Sequence, residues 1–173
     1  MPASDQGNLS GRYALIPRTL IFLTCRDRIL LLKGVPEKRL WANLYNGIGG
    51  HVERGEDVLN AALRELHEET GLNLLTLDLC GVIHIEANSD AGIVLFLFRG
   101  ECTEEEAKMT GKTTSTKEGV LEWVKCEDLG GLPLVEDLPI LLPRLLVMQP
   151  CAPPLMARYW YDDLGRLQTK FSP

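Results

Sequence analysis

Gly50-His51-Val52-Glu53-Arg54-Gly55-Glu56-Asp57-Val58-Leu59-Asn60-Ala61-Ala62-Leu63-Arg64-Glu65-Leu66-His67-Glu68-Glu69-Thr70-Gly71-Leu72 is the stretch on which the fold turns. Leu59, Ala62, Leu63 and Leu66 recur at i, i+3, i+4 and i+7, an apolar stripe that must face a core. The spacing predicts a helix from about Asp57 to Thr70, stopped by Gly71. At about 100° per residue, Glu65, Glu68 and Glu69 fall together on a separate arc. One helix thus packs a core with one face and gathers three carboxylates on another. Like charges so spaced repel, by ~0.7 kcal/mol per pair at ~6 Å in water and ~3 kcal/mol at an effective dielectric of about 20. A divalent cation offsets that cost, and hard oxygen ligands suit Mg²⁺ or Mn²⁺. The bland alternative is a solvated acidic face with Arg64, one turn before Glu68, as its counter-charge. His67 reads as a partly exposed helix residue. Gly49 and Gly50 lead into the segment and permit backbone geometry barred to other residues.

Outward from this segment, the chain reads as strands. Thr19–Cys25 and Arg28–Lys33 suggest a hairpin around Arg26-Asp27, and Tyr45–Ile48 is a short extended piece entering the two glycines. Between them, Gly34–Asn43 reads as a loop. Cys80–Ala87 and Gly92–Arg99 read as two more strands, turned by Asn88-Ser89-Asp90. Residues 101–119 are polar and read as a solvated loop, followed by a short strand Val120–Lys125. Leu134–Met148 has helical spacing, with a start expected at Pro139 and a kink at Pro143. Ala157–Tyr161 and Arg166–Phe171 look like a final hairpin. The expectation is α/β: a mixed sheet with helices packed on it. Residues 1–12 read as a flexible N-terminus and 13–173 as a single domain.

Composition excludes several classes. The 173 residues fit one domain, and 18 basic against 24 acidic residues give a net charge of −6. No basic stripe exists for a nucleic-acid polymer to dock on. No apolar run approaches the roughly 20 residues that span a bilayer. Cys25, Cys80, Cys102, Cys126 and Cys151 are odd in number, widely spaced and without a CxxC pair, which fits reduced thiols and a cytoplasmic setting. The start of the chain lacks the features of a signal peptide. A monomer or homodimer is expected.

The quoted segment resembles the Nudix box, GX5EX7REUXEEXGU with U a bulky aliphatic residue. Gly50, Glu56, Arg64, Glu65, Leu66, Glu68, Glu69, Gly71 and Leu72 fill every defined position in order. The surrounding strand order is similar to the Nudix α/β/α sandwich. The resemblance implies hydrolysis of a diphosphate linked to another group, often a nucleoside, with Mg²⁺ or Mn²⁺. It implies Glu68 and Glu69 as main metal ligands, with the Gly50 carbonyl, and Glu65 as a ligand or as the base that takes a proton from water. Arg64 would orient the glutamates, and Glu56 would hold the loop–helix geometry or sit in the second metal shell. In some members the base lies on a loop after the box, where Glu118 is the candidate here.

Tyr45-Asn46-Gly47-Ile48-Gly49-Gly50 resembles the WNGxGG-type segment of the MutT-like branch, which acts on oxidised purine nucleoside triphosphates, with Tyr45 in place of tryptophan. By that resemblance Asn46 and Gly49 contact substrate, and Glu136-Asp137, which departs from an Asp-Asp pair, resembles an acidic pair that reads a purine edge. On the residues alone Asn46 also reads as a turn residue before Gly47, and Glu136-Asp137 as an acidic pair at a helix N-terminus. The expected substrate is a purine nucleoside triphosphate, oxidised or not, cleaved to monophosphate and pyrophosphate. Another nucleotide or nucleotide-sugar diphosphate is the alternative, as is a non-catalytic nucleotide-sensing module. The proline that marks ADP-ribose-type members is replaced by Asn88. An isopentenyl-diphosphate isomerase shares the fold but needs a catalytic cysteine and metal histidines that His51, His67 and His84 do not supply.

Overall fold

The computed structural model describes residues 11–37, 40–110 and 119–173. Residues 1–10, which hold most of the expected flexible terminus, lie outside the described residues, as does Glu118. Eight strands form one mixed sheet among the described residues: β1 (Ala14–Cys25), β2 (Arg28–Gly34), β3 (Tyr45–Asn46), β4 (Asp78–Glu86), β5 (Ala91–Glu101), β6 (Gly119–Lys125), β7 (Leu155–Tyr161) and β8 (Leu167–Phe171). Among the described residues three α-helices accompany them, α1 (Val58–Thr70), α2 (Glu104–Thr110) and α3 (Leu138–Leu146), with a 3-10 helix at Cys126–Gly131. No described helix is long and apolar enough to cross a membrane.

The sheet runs β3-β2-β1-β5-β4-β7-β8, with β6 on the other edge of β2. β1 and β5 pair in parallel from Ala14 beside Ala91 to Thr24 beside Glu101. Side-chain alternation sends Leu20, Phe22, Ile29 and Leu31 into a core beneath α3. Ile21, Leu23, Leu30 and Leu32 go the other way, into a core with Ala62 and Leu66 of α1. Because both faces are covered, β1 and β2 read as continuous apolar runs rather than alternating ones.

The feature that positions the site is a fork. β1 and β2 pair only next to their turn, Leu23–Cys25 against Arg28–Leu30. Beyond that they diverge, and residues 45–51 fill the gap. Tyr45 and Asn46 pair with Lys33 and Leu32 on one side. Ile48 and His51 bridge to Ile21 and Arg18 on the other.

Helix α1 is as expected. Asp57 caps it by accepting from the Leu59 and Asn60 amides (2.9 and 3.0 Å). Gly71 ends it at φ 75°. The buried face is wider than the stripe, since Ala61, Glu69 and Thr70 are buried as well.

Two expectations are corrected. Residues 101–119 are not all solvated loop, because α2 lies within them. Thr103 and Glu106 cap it reciprocally: the Thr103 amide donates to Glu106 (2.8 Å) and the Glu106 amide to Thr103 Oγ1 (3.2 Å). The Trp123 indole then docks α2 by donating to the Ala107 carbonyl and to Thr110 Oγ1. Helix α3 begins at Leu138, not Pro139; proline in the first turn costs no hydrogen bond.

Candidate functional site

Arg64 organises the acid arc. Its Nε and Nη2 donate to the two oxygens of Glu56 (3.1 and 2.8 Å), its Nη1 to Glu65 (2.9 Å) and Glu68 (3.3 Å), and its Nη2 also to the His51 carbonyl (3.0 Å). The guanidinium fork reaches several acceptors at once, which a lysine could not do in this geometry. Glu56 also accepts from the Glu53 amide (2.7 Å). The Arg64 bond, seconded by that amide, holds the Glu56 carboxyl below its ordinary value.

The three glutamates differ in environment. Glu68 is exposed, Glu65 is mostly covered and Glu69 is buried at 6% exposure. A Cβ on Gly50 would run into the Glu65 carboxylate, so glycine there gives that carboxylate its place. The Gly50 carbonyl accepts from the Thr19 amide (2.9 Å) and retains a second lone pair. Among the described residues no three His, Cys, Asp or Glu side chains already converge as a metal cage. The donor chemistry nonetheless fits a hard divalent cation: all the candidate ligands are oxygens, three of them carboxylates on one helix.

Beside this arc lies a cleft of about 820 Å³. It falls in the range of roughly 300–1,000 Å³ common for small-molecule sites. Asn46, Gly49, Glu136 and Asp137 all line it, as do Gly50 and His51. The pairing explains the convergence. The Tyr45 amide donates to the Pro133 carbonyl (2.9 Å) and the Val135 amide to the Tyr45 carbonyl (3.0 Å), which brings the start of α3 beside Asn46. None of Glu65, Glu68 and Glu69 lines the cleft; the connection runs through Gly50 and His51.

Individual roles are sharper than the sequence implied. Asn46 Oδ1 accepts from the Gly47 amide (2.8 Å). Glu136 is engaged by the C-terminal hairpin, accepting from the Tyr161 hydroxyl (3.1 Å) and the Leu167 amide (3.3 Å). Burial pushes the Asp137 carboxyl up, its own amide opposes this, and the Glu136 charge adds to the rise. Tyr45 does not line the cleft; its hydroxyl donates to Glu122 (2.6 Å), which pushes the phenol up to about 12.

Sequence reasoning missed Arg18 and Trp41 as cleft residues; Tyr159 and Tyr161, in a hairpin that resembles a closing segment of the MutT-like branch but reads more readily as core or sheet-face aromatics, line the cleft as well. The Arg18 guanidinium donates to His51 Nε2 (3.0 and 3.2 Å), at the wall shared with Gly50. Arg18 reaches the site because it directly precedes Thr19 in β1, whose amide donates to the Gly50 carbonyl.

Comparison with known proteins fits this geometry. The NUDIX domain matches residues 15–145. The chain belongs to the Nudix family. Members of the Nudix family generally use divalent metal ions. The chain is 36% identical over 89 residues to an oxidized purine nucleoside triphosphate hydrolase of Danio rerio, covering 51% of this chain and 56% of that protein. It is likewise 36% identical over 72 residues to the m7GpppN-mRNA hydrolase NUDT17 of Xenopus laevis, covering 42% of this chain and 24% of that protein. The chain thus spans about half or less of the length of these relatives. The crystal structure of a MutT protein from Bacillus halodurans superposes with a TM-score of 0.71 at 23% identity, over 92% of this chain and 99% of that one, a shared Nudix fold.

Proposed function

We propose that this Nudix protein hydrolyses purine nucleoside triphosphates, oxidised purines among them, to monophosphate and pyrophosphate in the cytoplasm. One observation carries the reading. The cleft that gathers Asn46 and Asp137 shares its Gly49-Gly50 wall with the acid arc, because Glu65 packs on Gly50 and Arg64 holds the His51 carbonyl. A base in the cleft therefore leaves its phosphates beside the carboxylates. The relative from Danio rerio supports the substrate class.

The residues divide the work. Asn46 and Asp137 bind the base edge, Asp137 from a position where burial raises its carboxyl. Arg18 offers a cation to the phosphate chain. Arg64 fixes the rotamers of Glu56, Glu65 and Glu68, so they need not reorganise during reaction. Glu65, Glu68, Glu69 and the Gly50 carbonyl would hold Mg²⁺ or Mn²⁺, which when bound would neutralise phosphate charge and make water more acidic. Glu65 serves as ligand or takes the proton from water; Glu118 is the other candidate base. In the balanced reaction water oxygen bonds to phosphorus, the bridging P–O bond breaks and pyrophosphate leaves.

The test is pyrophosphate release with Mg²⁺ over a panel of ordinary and oxidised purine triphosphates and a cap dinucleotide. Turnover should be abolished by chelation and reduced roughly a hundredfold or more in Glu68→Gln and Glu69→Gln. Tight nucleotide binding without turnover in the wild type would replace this reading with a sensing module.

A further inference from the structure

The chain has four tyrosines. Three have a hydroxyl partner: Tyr13 meets His84 Nε2 (3.1 Å), Tyr45 donates to Glu122 and Tyr161 donates to Glu136. Tyr159 is the exception. It is 1% exposed, and its hydroxyl finds no hydrogen-bond partner among the described residues. Its ring is already well used, edge-on to Phe171 at 6.1 Å between centroids. Phenylalanine would keep that packing without stranding a polar atom, so the hydroxyl contributes nothing to the fold that is visible in its contacts. Tyr159 does line the substrate cleft, together with Asn46 and Asp137.

We infer that the Tyr159 hydroxyl is a specificity-determining group, hydrogen-bonding an exocyclic oxygen on the buried edge of the purine. The inference rests on the nucleotide reading above and deepens it. The chemistry suits the task. Burial, with the Asp137 charge adding to it and Arg144 opposing, pushes the phenol up, so it stays a neutral O–H donor wherever the protein works. A donor left without a partner rejects a base that cannot accept from it more strongly than a matched contact rewards one that can.

The experiment compares wild type with Tyr159→Phe on deoxynucleoside triphosphates of 8-oxoguanine, guanine and unsubstituted purine, with calorimetric binding of the corresponding nucleosides. The ratio of kcat/KM for oxo-substituted over unsubstituted purine should fall roughly tenfold, the worth of one hydrogen bond. The nucleoside affinities should shift in the same ratio. The melting temperature of Tyr159→Phe should equal or exceed that of wild type, which shows that the variant folds. A ratio unchanged by the substitution overturns the inference and leaves the nucleotide reading intact. Selective nucleoside binding without any turnover does the reverse. If wild type binds none of the nucleosides, both fail.

Discussion

Arg64 is the residue on which the local electrostatics hinge. It pairs with Glu56, Glu65 and Glu68, three carboxylates that would otherwise crowd one another. Its tightest partner is Glu56, at 2.8 Å. Because the folded Glu56 value is depressed, this pair stabilises the protein fully above the unfolded glutamate value of about 4.3, and the benefit fades as pH falls through the folded value. Glu56→Gln should therefore melt earlier than wild type at neutral pH, with the gap closing under acid; melting curves across pH 3–7 give the check. A gap independent of pH would mean that Glu56 acts by packing alone. Glu56 also shows how a box residue that does not line the cleft still matters, since moving it frees Arg64 and with it Glu65 and Glu68.

At the scale of elements, α1 and α2 differ in how plainly the sequence announces them. Helix α1 was legible because cap, apolar stripe and stop signal agree: Asp57, Leu59 through Leu66, Gly71. Helix α2 was not, because only Ala107 and Thr110 of its seven residues are buried, too few to make a stripe. The missed signal is Thr103-x-x-Glu106, a capping box in an otherwise acidic run. Tertiary contact supplies the rest, through Trp123 and through the Arg28–Glu104 pair at 3.0 Å. Trp123→Phe should loosen α2 by about 1 kcal/mol. Hydrogen exchange should quicken across residues 104–110 while β1 and β5 amides stay protected; an unchanged helix would show that the indole bonds do not anchor it.

Across the whole molecule, the site is a product of topology that no local pattern announces. The sequence marks Asn46, Gly50 and Asp137 separately, and the resemblance links them, but their common cleft depends on the fork between β1 and β2 and on the Tyr45 pairing with Pro133 and Val135. For the same reason Arg18 escaped notice: it is a distant strand residue, ordinary on its own. Ile48 holds the wedge in place, fully buried between two glycines and packed into the core with Leu66. Ile48→Ala should cost about 3 kcal/mol in urea denaturation and lower turnover in the folded fraction as well. Lost stability with undiminished turnover would show that the wedge does not position the catalytic groups.

The wedge also limits how such a protein can be retooled. Asn46 and Gly50 sit on a single short ribbon, pinned to a different strand at each end. An insertion between them would shift Asn46 and Gly50 out of step with the two strands that hold them. Change is freer at Leu40-Trp41, which borders the cleft without pairing to either strand of the fork, than at Glu136-Asp137, whose approach the Tyr45 pairing sets.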